Sequence, residues 1–299
     1  MCGLIIKALS GFYYVKVGEK IFECKARGRF RNENLSPLVG DRVEISVVGE
    51  KGTVEKIAER KNMLLRPPVA NIDKLFIISS SVTPAPSTLL IDRMTALCEY
   101  KDITPIIVFN KNDLADVSHW CKLYRNAGFK TIECSAENGC GTDEIINELA
   151  GGISAFTGNS GAGKSSLLNR IFPELVLATG DVSDKLGRGR HTTRHVELFE
   201  HRFGGYVADT PGFSSLEADK NDLEFKNNLS SFFSDFAPYI EECRFADCTH
   251  TGDTGCGVCN AVKEGKIEET RYNSYVTMYN ELKDVKFWNV KNAYGAKKG

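Results

Sequence analysis

The first part of the chain, to about residue 65, alternates apolar and polar positions over short segments. The alternation is clearest at residues 12–17, 20–24 and 41–47, and glycine-containing turns at 18–19 and 49–52 separate these segments. A period of two is typical of β-strands with one buried face. The pattern therefore predicts a small antiparallel barrel or sandwich, and Pro67-Pro68 marks the linker after it.

From about residue 70 to 215 the pattern changes to alternating strands and helices. Apolar runs at 74–79 and 105–109 predict buried parallel strands, and residues 89–100 between them have helical spacing. Another strand is predicted at 129–134, and a short helix at 142–149 with Thr142 as its cap. This order predicts a doubly wound α/β domain.

From about residue 216 to 299 the spacing of apolar residues favours helices. One helix is predicted over residues 222–236, which contain several phenylalanines and leucines, and another over 260–284. A cysteine-rich segment lies between them. The third region is therefore predicted to be a small helical domain built around that segment.

Composition sets limits on the class of protein. A chain of 299 residues with 42% hydrophobic residues has room for two or three domains. The net charge of -1 gives no general argument for an acidic partner, so a nucleic-acid contact would need a local basic patch. Since the sequence has no apolar run long enough for a membrane span and no secretion signal at its start, we expect a cytoplasmic protein with reduced thiols.

A phosphate-binding loop is predicted between an apolar strand at 153–157 and a helix that opens at Ser166. The motif reads Gly158-Asn159-Ser160-Gly161-Ala162-Gly163-Lys164-Ser165. Its glycines let successive N–H groups face phosphate oxygens, and the helix start adds a positive dipole end. Lys164 would reach the β and γ phosphates, and the Ser165 hydroxyl would bind Mg²⁺.

A second motif indicates that the base is guanine. It reads Asn110-Lys111-Asn112-Asp113 and directly follows an apolar strand. The Asp113 carboxylate would accept hydrogen bonds from N1–H and the 2-amino group of guanine, which adenine cannot donate. Lys111 would lie along the base and Asn110 would brace the loop. After the next strand, a backbone N–H of the Ser135-Ala136 segment would meet guanine O6.

A third motif, Asp209-Thr210-Pro211-Gly212, follows a predicted strand at 203–208. Asp209 would hold Mg²⁺ through water, and the Gly212 N–H would sense the γ phosphate. In Ras-like GTPases the phosphate loop comes first and the base motif last. Here the base motif comes first, which predicts a circular permutation of the same sheet. The second switch then leads directly into the C-terminal region.

The residue that positions the attacking water is not obvious from the sequence. Phe213 stands where Ras-like enzymes have a glutamine. In the segment expected to be the first switch, Thr192 or Thr193 would bind Mg²⁺ and the γ phosphate, with Thr193 favoured. His191 would position or polarise the water, and the alternative is a surface histidine without a role. Arginines in the same segment would stabilise transition-state charge or hold RNA phosphate: Arg188, Arg190 and Arg194.

The cysteine-rich segment predicts a structural zinc site. Cys243, Cys248, His250 and Cys256 form a Cys₃His set suited to tetrahedral Zn²⁺. Cys259 is a rival to His250 for the fourth place, because Cys256 and Cys259 also have a familiar zinc spacing, and His250 is preferred. A metal here would stabilise a domain with a modest core.

Together these motifs resemble the ribosome small-subunit-dependent GTPases over essentially the whole chain. The shared features include the barrel segment 37–43, the three nucleotide motifs, residues 189–193 and the Cys₃His spacing. The resemblance implies an OB-like barrel at 1–65, a circularly permuted α/β P-loop GTPase domain at 70–215 and a helical zinc-binding domain at 216–299. It also implies that His191 is catalytic, that His250 is a zinc ligand, and that weak intrinsic GTP hydrolysis is stimulated by the small subunit. Arg194 departs from the family by replacing a frequent third threonine.

The barrel also has a candidate RNA-binding strand. Basic residues alternate there with Phe30 among them: Lys25, Arg27, Arg29 and Arg31. OB folds bind oligonucleotides through such surfaces. The expected partner is the small subunit and its rRNA, bound by a monomer. Two other functions are compatible with these motifs: a GTP-gated RNA-binding adaptor in which hydrolysis is incidental, and a GTPase acting on another RNA such as tRNA.

Overall fold

The computed structural model describes residues 1–28, 30, 35–49, 51–65, 67–173, 196–209 and 223–283. The strands are β1 (Cys2–Leu9), β2 (Phe12–Val17), β3 (Lys20–Ala26), β4 (Arg42–Val48), β5 (Lys51–Ile57), β6 (Met63–Leu65), β7 (Pro68–Ala70), β8 (Lys74–Ser80), β9 (Thr104–Asn110), β10 (Lys130–Glu133), β11 (Ile153–Gly158), β12 (Glu197–His201) and β13 (Gly205–Asp209). The α-helices are α1 (Thr88–Tyr100), α2 (Ser118–Asn126), α3 (Thr142–Leu149), α4 (Lys164–Ile171), α5 (Leu223–Asn227), α6 (Ala237–Ile240), α7 (Gly257–Lys263) and α8 (Glu269–Lys283).

The first five strands close into a barrel in the order β1-β2-β3-β5-β4 and back to β1. Their pairings are antiparallel except for the parallel pair β3–β5. Every second side chain along these strands points into the barrel, which is why apolar residues alternate with polar ones in the sequence. Buried members of this core include Ile5, Val15, Val43 and Val54. The predicted small barrel is confirmed, with one parallel pair that its sequence did not indicate.

The basic strand of the barrel differs in one respect from expectation. Phe30 is buried at 4% exposure and packs in the apolar core, so it does not belong to a basic surface. The aromatic ring beside the basic residues is that of Phe12, with Lys25 Nζ 5.1 Å from its centroid. Arg27 is exposed and pairs with Glu55 at 2.9 Å. Arg29 and Arg31 lie outside the described residues.

The nucleotide-domain strands lie in the order β10-β9-β8-β11-β13-β12. All neighbours are parallel except β12, which runs antiparallel to β13. The central strand β11 leads into the phosphate loop. The strands on one side of it precede it in the chain, and those on the other side follow it. This arrangement confirms the circularly permuted α/β sheet, because the base motif at the end of β9 comes earlier in sequence than the phosphate loop.

The barrel and the nucleotide sheet are continuous through strands β1 and β12. Lys7 and Glu197 are paired across them, and the Lys7 Nζ–Glu197 Oε2 distance is 2.7 Å. A second ion pair joins Lys16 to Glu200. The barrel is therefore fixed to the edge of the nucleotide sheet by main-chain pairing and by two ion pairs.

The helix predictions need three corrections, two in the last region and one in the nucleotide domain. Residues 222–236 do not form one helix: α5 is followed by 3₁₀ turns at Leu229–Phe232 and Ser234–Phe236. The stretch 260–284 is divided into α7 and α8, because Gly265 adopts a positive φ of 70° between them. Helix α3 has Gly141, not Thr142, at its N-cap, and the Thr142 hydroxyl donates to Gly139 O instead.

The C-terminal helices pack on helix α1 of the nucleotide domain. Their apolar core includes Ala96, and Leu89 and Tyr100 of α1 pack against it. At the centre of this contact the guanidinium of Arg271 is fully buried and binds two carboxylates. It donates to Asp92 Oδ1 at 2.7 Å and to both oxygens of Asp235 at 2.7 and 2.8 Å.

Within the described residues, no helix combines the length and the apolar character that a membrane span requires.

Candidate nucleotide site and metal centre

The phosphate loop joins the end of β11 to the start of α4. Its backbone depends on Gly163, which has a φ of 85°. A Cβ atom at Gly163 would lie only 2.3 Å from Asn110 Nδ2. Both this close contact and the positive φ therefore disfavour any residue with a side chain at this position. Because α4 begins at Lys164, its first N–H groups and those of the loop converge at the carboxyl end of the sheet. This is the arrangement that binds phosphate.

Asn110 connects the base motif to the phosphate loop. Its side chain is buried, and its Nδ2 donates to Ala162 O at 3.0 Å. Its Oδ1 accepts the Ala136 N–H at 3.0 Å. One amide thus holds three predicted segments together, because it touches the base motif, the phosphate loop and the Ser135-Ala136 segment.

Lys111 lies across the mouth of the same site. Its Nζ donates to Gly161 O at 2.8 Å and to Thr83 O at 2.9 Å. The backbone of Lys111 has a positive φ of 66°, and its carbonyl accepts a hydrogen bond from the Ser81 hydroxyl at 2.6 Å. Sequence reasoning missed the contribution of Ser81 and Thr83, since a short polar segment after a strand has no distinctive pattern.

The loop at residues 135–140 would form the far wall of the predicted base site. The buried Ser135 Oγ accepts the N–H groups of Glu137 and Asn138, each at 3.2 Å. The Ala136 N–H already has Asn110 as its acceptor. A base oxygen bound at this wall would therefore accept the Ala136 N–H together with Asn110 Oδ1, in a three-centre hydrogen bond. Asp113 is exposed beside this wall, and the Asn112 N–H donates to Cys134 O at 3.0 Å.

The residues expected to contact the γ phosphate are only partly within the described chain. Asp209 ends β13, one residue beyond the Ala155–Ala208 pair, so its main chain reaches the same edge of the sheet as the phosphate loop. The predicted positions of His191, Thr193 and Gly212 lie outside the described residues, as do Thr192 and the nearby arginines.

The four residues of the predicted metal site lie together in the C-terminal region. One ligand atom from each of Cys243, Cys248, His250 and Cys256 falls within 4.8 Å of the other three. His250 Nδ1 is 3.5 Å from the sulfur atoms of both Cys243 and Cys256, which are 3.9 Å apart. Tetrahedral zinc with Zn–S near 2.3 Å and Zn–N near 2.0 Å requires ligand separations of about 3.5 to 3.8 Å. The donor set therefore fits a four-coordinate zinc ion.

The surroundings of these residues favour the metal-binding form of His250, whereas the thiolate of Cys256 requires a cation beside it. Burial lowers the pKa of His250, which keeps the imidazole neutral. Backbone N–H groups of Gly257 and Cys259 donate to the sulfurs of Cys243 and Cys256 at 3.3 and 3.4 Å, as they would to thiolates. Burial raises the pKa of Cys256, so its thiolate needs a nearby cation.

Cys259 is not among the four residues whose ligand atoms cluster. Its sulfur lies 3.4 Å from the Tyr272 hydroxyl and 3.7 Å from His250 O. The geometry therefore supports the choice of His250 over Cys259 as the fourth ligand.

Comparison with known proteins gives a consistent result along the chain. Residues 57–219 match the model of the RsgA GTPase family, and residues 2–54 match the RsgA N-terminal domain. Proteins named small ribosomal subunit biogenesis GTPase RsgA are similar over nearly their full length. The one from Geobacillus sp. (strain WCH70) is 47% identical, covering 95% of this chain and 98% of that protein. The one from Caldanaerobacter subterraneus subsp. tengcongensis is 44% identical, covering 97% and 98%.

Two solved structures have the same fold. YjeQ from Thermotoga maritima aligns with a TM-score of 0.80 at 35% identity, covering 95% of this chain and 99% of that one. YloQ, described as a circularly permuted GTPase, aligns with a TM-score of 0.78 at 38% identity, covering 95% and 96%. With the permuted sheet, the closed barrel and the Cys₃His cluster, these matches show that the chain belongs to the RsgA GTPase family.

Proposed function

We propose that this protein hydrolyses GTP to GDP and phosphate on the small ribosomal subunit, at a late step of the subunit's biogenesis. The observation that carries the nucleotide part is the pair of hydrogen bonds made by Asn110, which hold the base motif and the phosphate loop in one site. The ribosomal part rests on relatives of 40–47% identity that are named for small-subunit biogenesis.

In this proposal the guanine base lies between Lys111 and the loop at 135–140. Asp113 accepts hydrogen bonds from N1–H and the 2-amino group, and the Ser135-Ala136 segment reads O6. The N–H groups of residues 158–166 hold the phosphates with Lys164. Asn112 supports the base loop through its N–H bond to Cys134 O.

Hydrolysis is assigned to residues at the γ phosphate. A Mg²⁺ ion, held by the hydroxyls of Ser165 and Thr193 and through water by Asp209, would neutralise charge on the β and γ phosphates. His191 positions the attacking water, and the Gly212 N–H reports whether the γ phosphate is present. The support for His191 is its sequence position beside the switch threonines, since Phe213 cannot orient water.

We further propose that three domains divide this work. The barrel at 1–65 binds rRNA with the surface around Lys25, Arg27 and Phe12, where cationic and aromatic groups lie together. The nucleotide domain at 70–215 switches, and the domain at 216–299 is held by zinc at the Cys₃His site. The protein acts as a cytoplasmic monomer.

A second candidate function is a GTP-gated RNA-binding adaptor in which hydrolysis is incidental. Phe213 favours this alternative, because the glutamine position of Ras-like enzymes has no polar group. The His191→Ala variant separates the two candidates: an adaptor would keep its wild-type turnover, whereas the proposed enzyme would lose the turnover that the ribosome stimulates.

Co-sedimentation with purified ribosomal subunits tests the proposed partner. We expect the protein to pellet with small subunits when loaded with a non-hydrolysable GTP analogue, and much less with GDP. Large subunits and free tRNA serve as controls. Equal pelleting with both subunits, or pelleting that ignores the nucleotide, would contradict a GTP-gated small-subunit factor.

A further inference from the structure

We propose that Arg170 is a positioning residue for guanine specificity, because it fixes the loop at 135–140 against the helix that follows the phosphate loop. The inference rests on the proposed guanine site. It assigns to Arg170 the discrimination at position 6 of the purine, as distinct from positions 1 and 2, which Asp113 would read.

Arg170 holds the loop by two carbonyl groups. Its Nη1 donates to Glu137 O at 3.0 Å and to Ala136 O at 3.2 Å. These carbonyls belong to the two residues that follow Ser135 in the O6-reading segment. A guanidinium nitrogen that bridges consecutive carbonyls restricts the peptide planes on either side of it, and so it also restricts the direction of the N–H groups in that turn.

The backbone of the loop is shaped to receive this guanidinium. Gly139 has a φ of 89°, and a Cβ atom at that position would lie 2.5 Å from Arg170 Nη2 and 2.9 Å from Nε. The guanidinium therefore lies directly against the Gly139 backbone. This contact is independent of the two hydrogen bonds, and it confines the same loop from its other end.

The effect on specificity follows from where helix α4 begins. Its first residue is Lys164 of the phosphate loop, and Arg170 lies near its last turn. Arg170 thus sets the distance between the O6-reading loop and the phosphate-binding end of the same helix. The N–H groups of residues 136–138 already have acceptors within the protein. O6 would have to accept one of these N–H groups in a three-centre hydrogen bond, and a small displacement of the loop would break that bond.

The test compares nucleotide affinities of the full-length protein and its Arg170→Ala variant by calorimetry. Three probes separate the positions of the base: GDP, IDP, which lacks the 2-amino group but keeps O6, and 6-thio-GDP, which keeps N1–H and the 2-amino group but carries sulfur at position 6. Sulfur is larger than oxygen and a weaker acceptor. Arg125→Ala is the matched control, because Arg125 is another exposed arginine that donates to a backbone carbonyl, Thr131 O at 3.4 Å, and both this bond and its pairing with Glu133 involve β10 and not the loop at 135–140.

We expect Arg170→Ala to weaken GDP binding about fivefold, the scale of one lost hydrogen bond. The preference for GDP over 6-thio-GDP should shrink by a similar factor, while the preference for GDP over IDP stays at the wild-type value. Arg125→Ala should change neither preference. The proposal is overturned if Arg170→Ala keeps the wild-type preference at position 6, or if it weakens all three nucleotides equally.

The Asp113→Asn variant distinguishes this failure from failure of the guanine site. If Asp113→Asn exchanges guanine for xanthine preference and Arg170→Ala has no effect at position 6, only the role of Arg170 is wrong. If Asp113→Asn leaves the base preference intact, the guanine site and the inference both fail. Thermal unfolding of each variant checks that the fold is retained.

Discussion

At the scale of single residues, two aspartates in one exposed loop show how neighbouring carboxylates differ in chemistry. Asp116 is occupied locally: its Oδ1 accepts the N–H and the hydroxyl of Ser118 at 3.0 and 2.6 Å, and these bonds lower the pKa of Asp116. Asp113 lies three residues after the end of β9 and is exposed in the predicted base motif. The same residue type is therefore bound to its own chain in one case, through Ser118, and is placed to read a ligand in the other.

The Asp113→Asn substitution is expected to convert the base preference from guanine to xanthine. An amide would present its NH₂ to the oxygen that xanthine carries at position 2, while guanine would meet a donor with its own 2-amino group. Sites that recognise hydrogen-bonding groups in this way discriminate by about 10⁴. We expect GDP affinity to fall by about two orders of magnitude or more, and XDP affinity to rise, in direct titrations.

Asp116→Asn is the matched control for this experiment. It changes the same charge three residues away and should leave both affinities near the wild-type values. A similar loss of GDP binding in the two variants would mean that the loop's net charge, and not the Asp113 carboxylate, governs binding.

The sequence identified the nucleotide motifs because each needs a fixed spacing of a few residue types. It did not reveal that the Asn110 amide joins three of the predicted segments, since that depends on sheet order. It also assigned Phe30 to a basic surface, because local alternation cannot distinguish an aromatic ring that turns into the barrel core. A local sequence pattern predicts motifs of fixed spacing well, but it does not determine which side chains of an irregular segment are buried.

At the scale of elements, the contact between α1 and α8 is the main feature that sequence reasoning missed. Arg271 occupies an inward position of α8, in register with the buried residues Ser274, Tyr275 and Met278. The signal available in the sequence was an arginine at one of the positions of α8 whose spacing predicts burial. Its partners, Asp92 and Asp235, are 179 and 36 residues away in sequence, so no local rule could pair them.

Replacement of Arg271 by alanine should destabilise the protein strongly. The change leaves Asp92 and Asp235 without their buried partner, which typically costs about 3–5 kcal/mol. Arg93→Ala is the matched control: Arg93 pairs with Glu281 across the same two helices, but its side chain is 27% exposed, so its loss should cost less than about 1 kcal/mol. Chemical denaturation of both variants measures the difference.

The loss of unfolding free energy in Arg271→Ala should depend on pH in a defined direction. Burial already raises the pKa of Asp92 to about 6, and removal of the Arg271 charge would raise it further. A carboxyl whose pKa is higher in the folded state holds its proton more tightly there, so stability falls as the pH rises between the unfolded and folded values. The Arg271→Ala deficit should therefore be smaller near pH 5 than near pH 7. A deficit that grows on acidification would contradict the assigned cluster.

The zinc segment gives a second prediction at this scale. Cys256→Ala removes one of four ligands, and we expect the bound zinc to fall from about one per chain to nearly none, with a lower melting temperature. Cys259→Ser is the control in the same turn of chain, because the Cys259 sulfur faces Tyr272. Metal analysis of the purified proteins decides between them, and equal zinc loss in both variants would restore Cys259 as a ligand.

At the scale of the whole molecule, both flanking regions contact the nucleotide domain, the barrel at β12 and the C-terminal helices at α1. The barrel joins the sheet at β12, whose first residue, Glu197, follows His191 and Thr193 by only a few positions in sequence. The C-terminal helices pack on α1, and the chain reaches them directly after the Asp209-to-Gly212 motif. The segments proposed to contact the γ phosphate are thus adjacent in sequence to β12, which pairs with the barrel, and to the C-terminal region.

The measurement that tests the account most directly is GTP turnover by the purified protein, with and without purified small ribosomal subunits. Large subunits and free tRNA serve as controls, and His191→Ala is measured alongside the wild type. The account predicts slow turnover alone, strong stimulation by small subunits only, and loss of that stimulation in His191→Ala. Slow turnover that is indifferent to every added RNA, or full stimulation in His191→Ala, would contradict it.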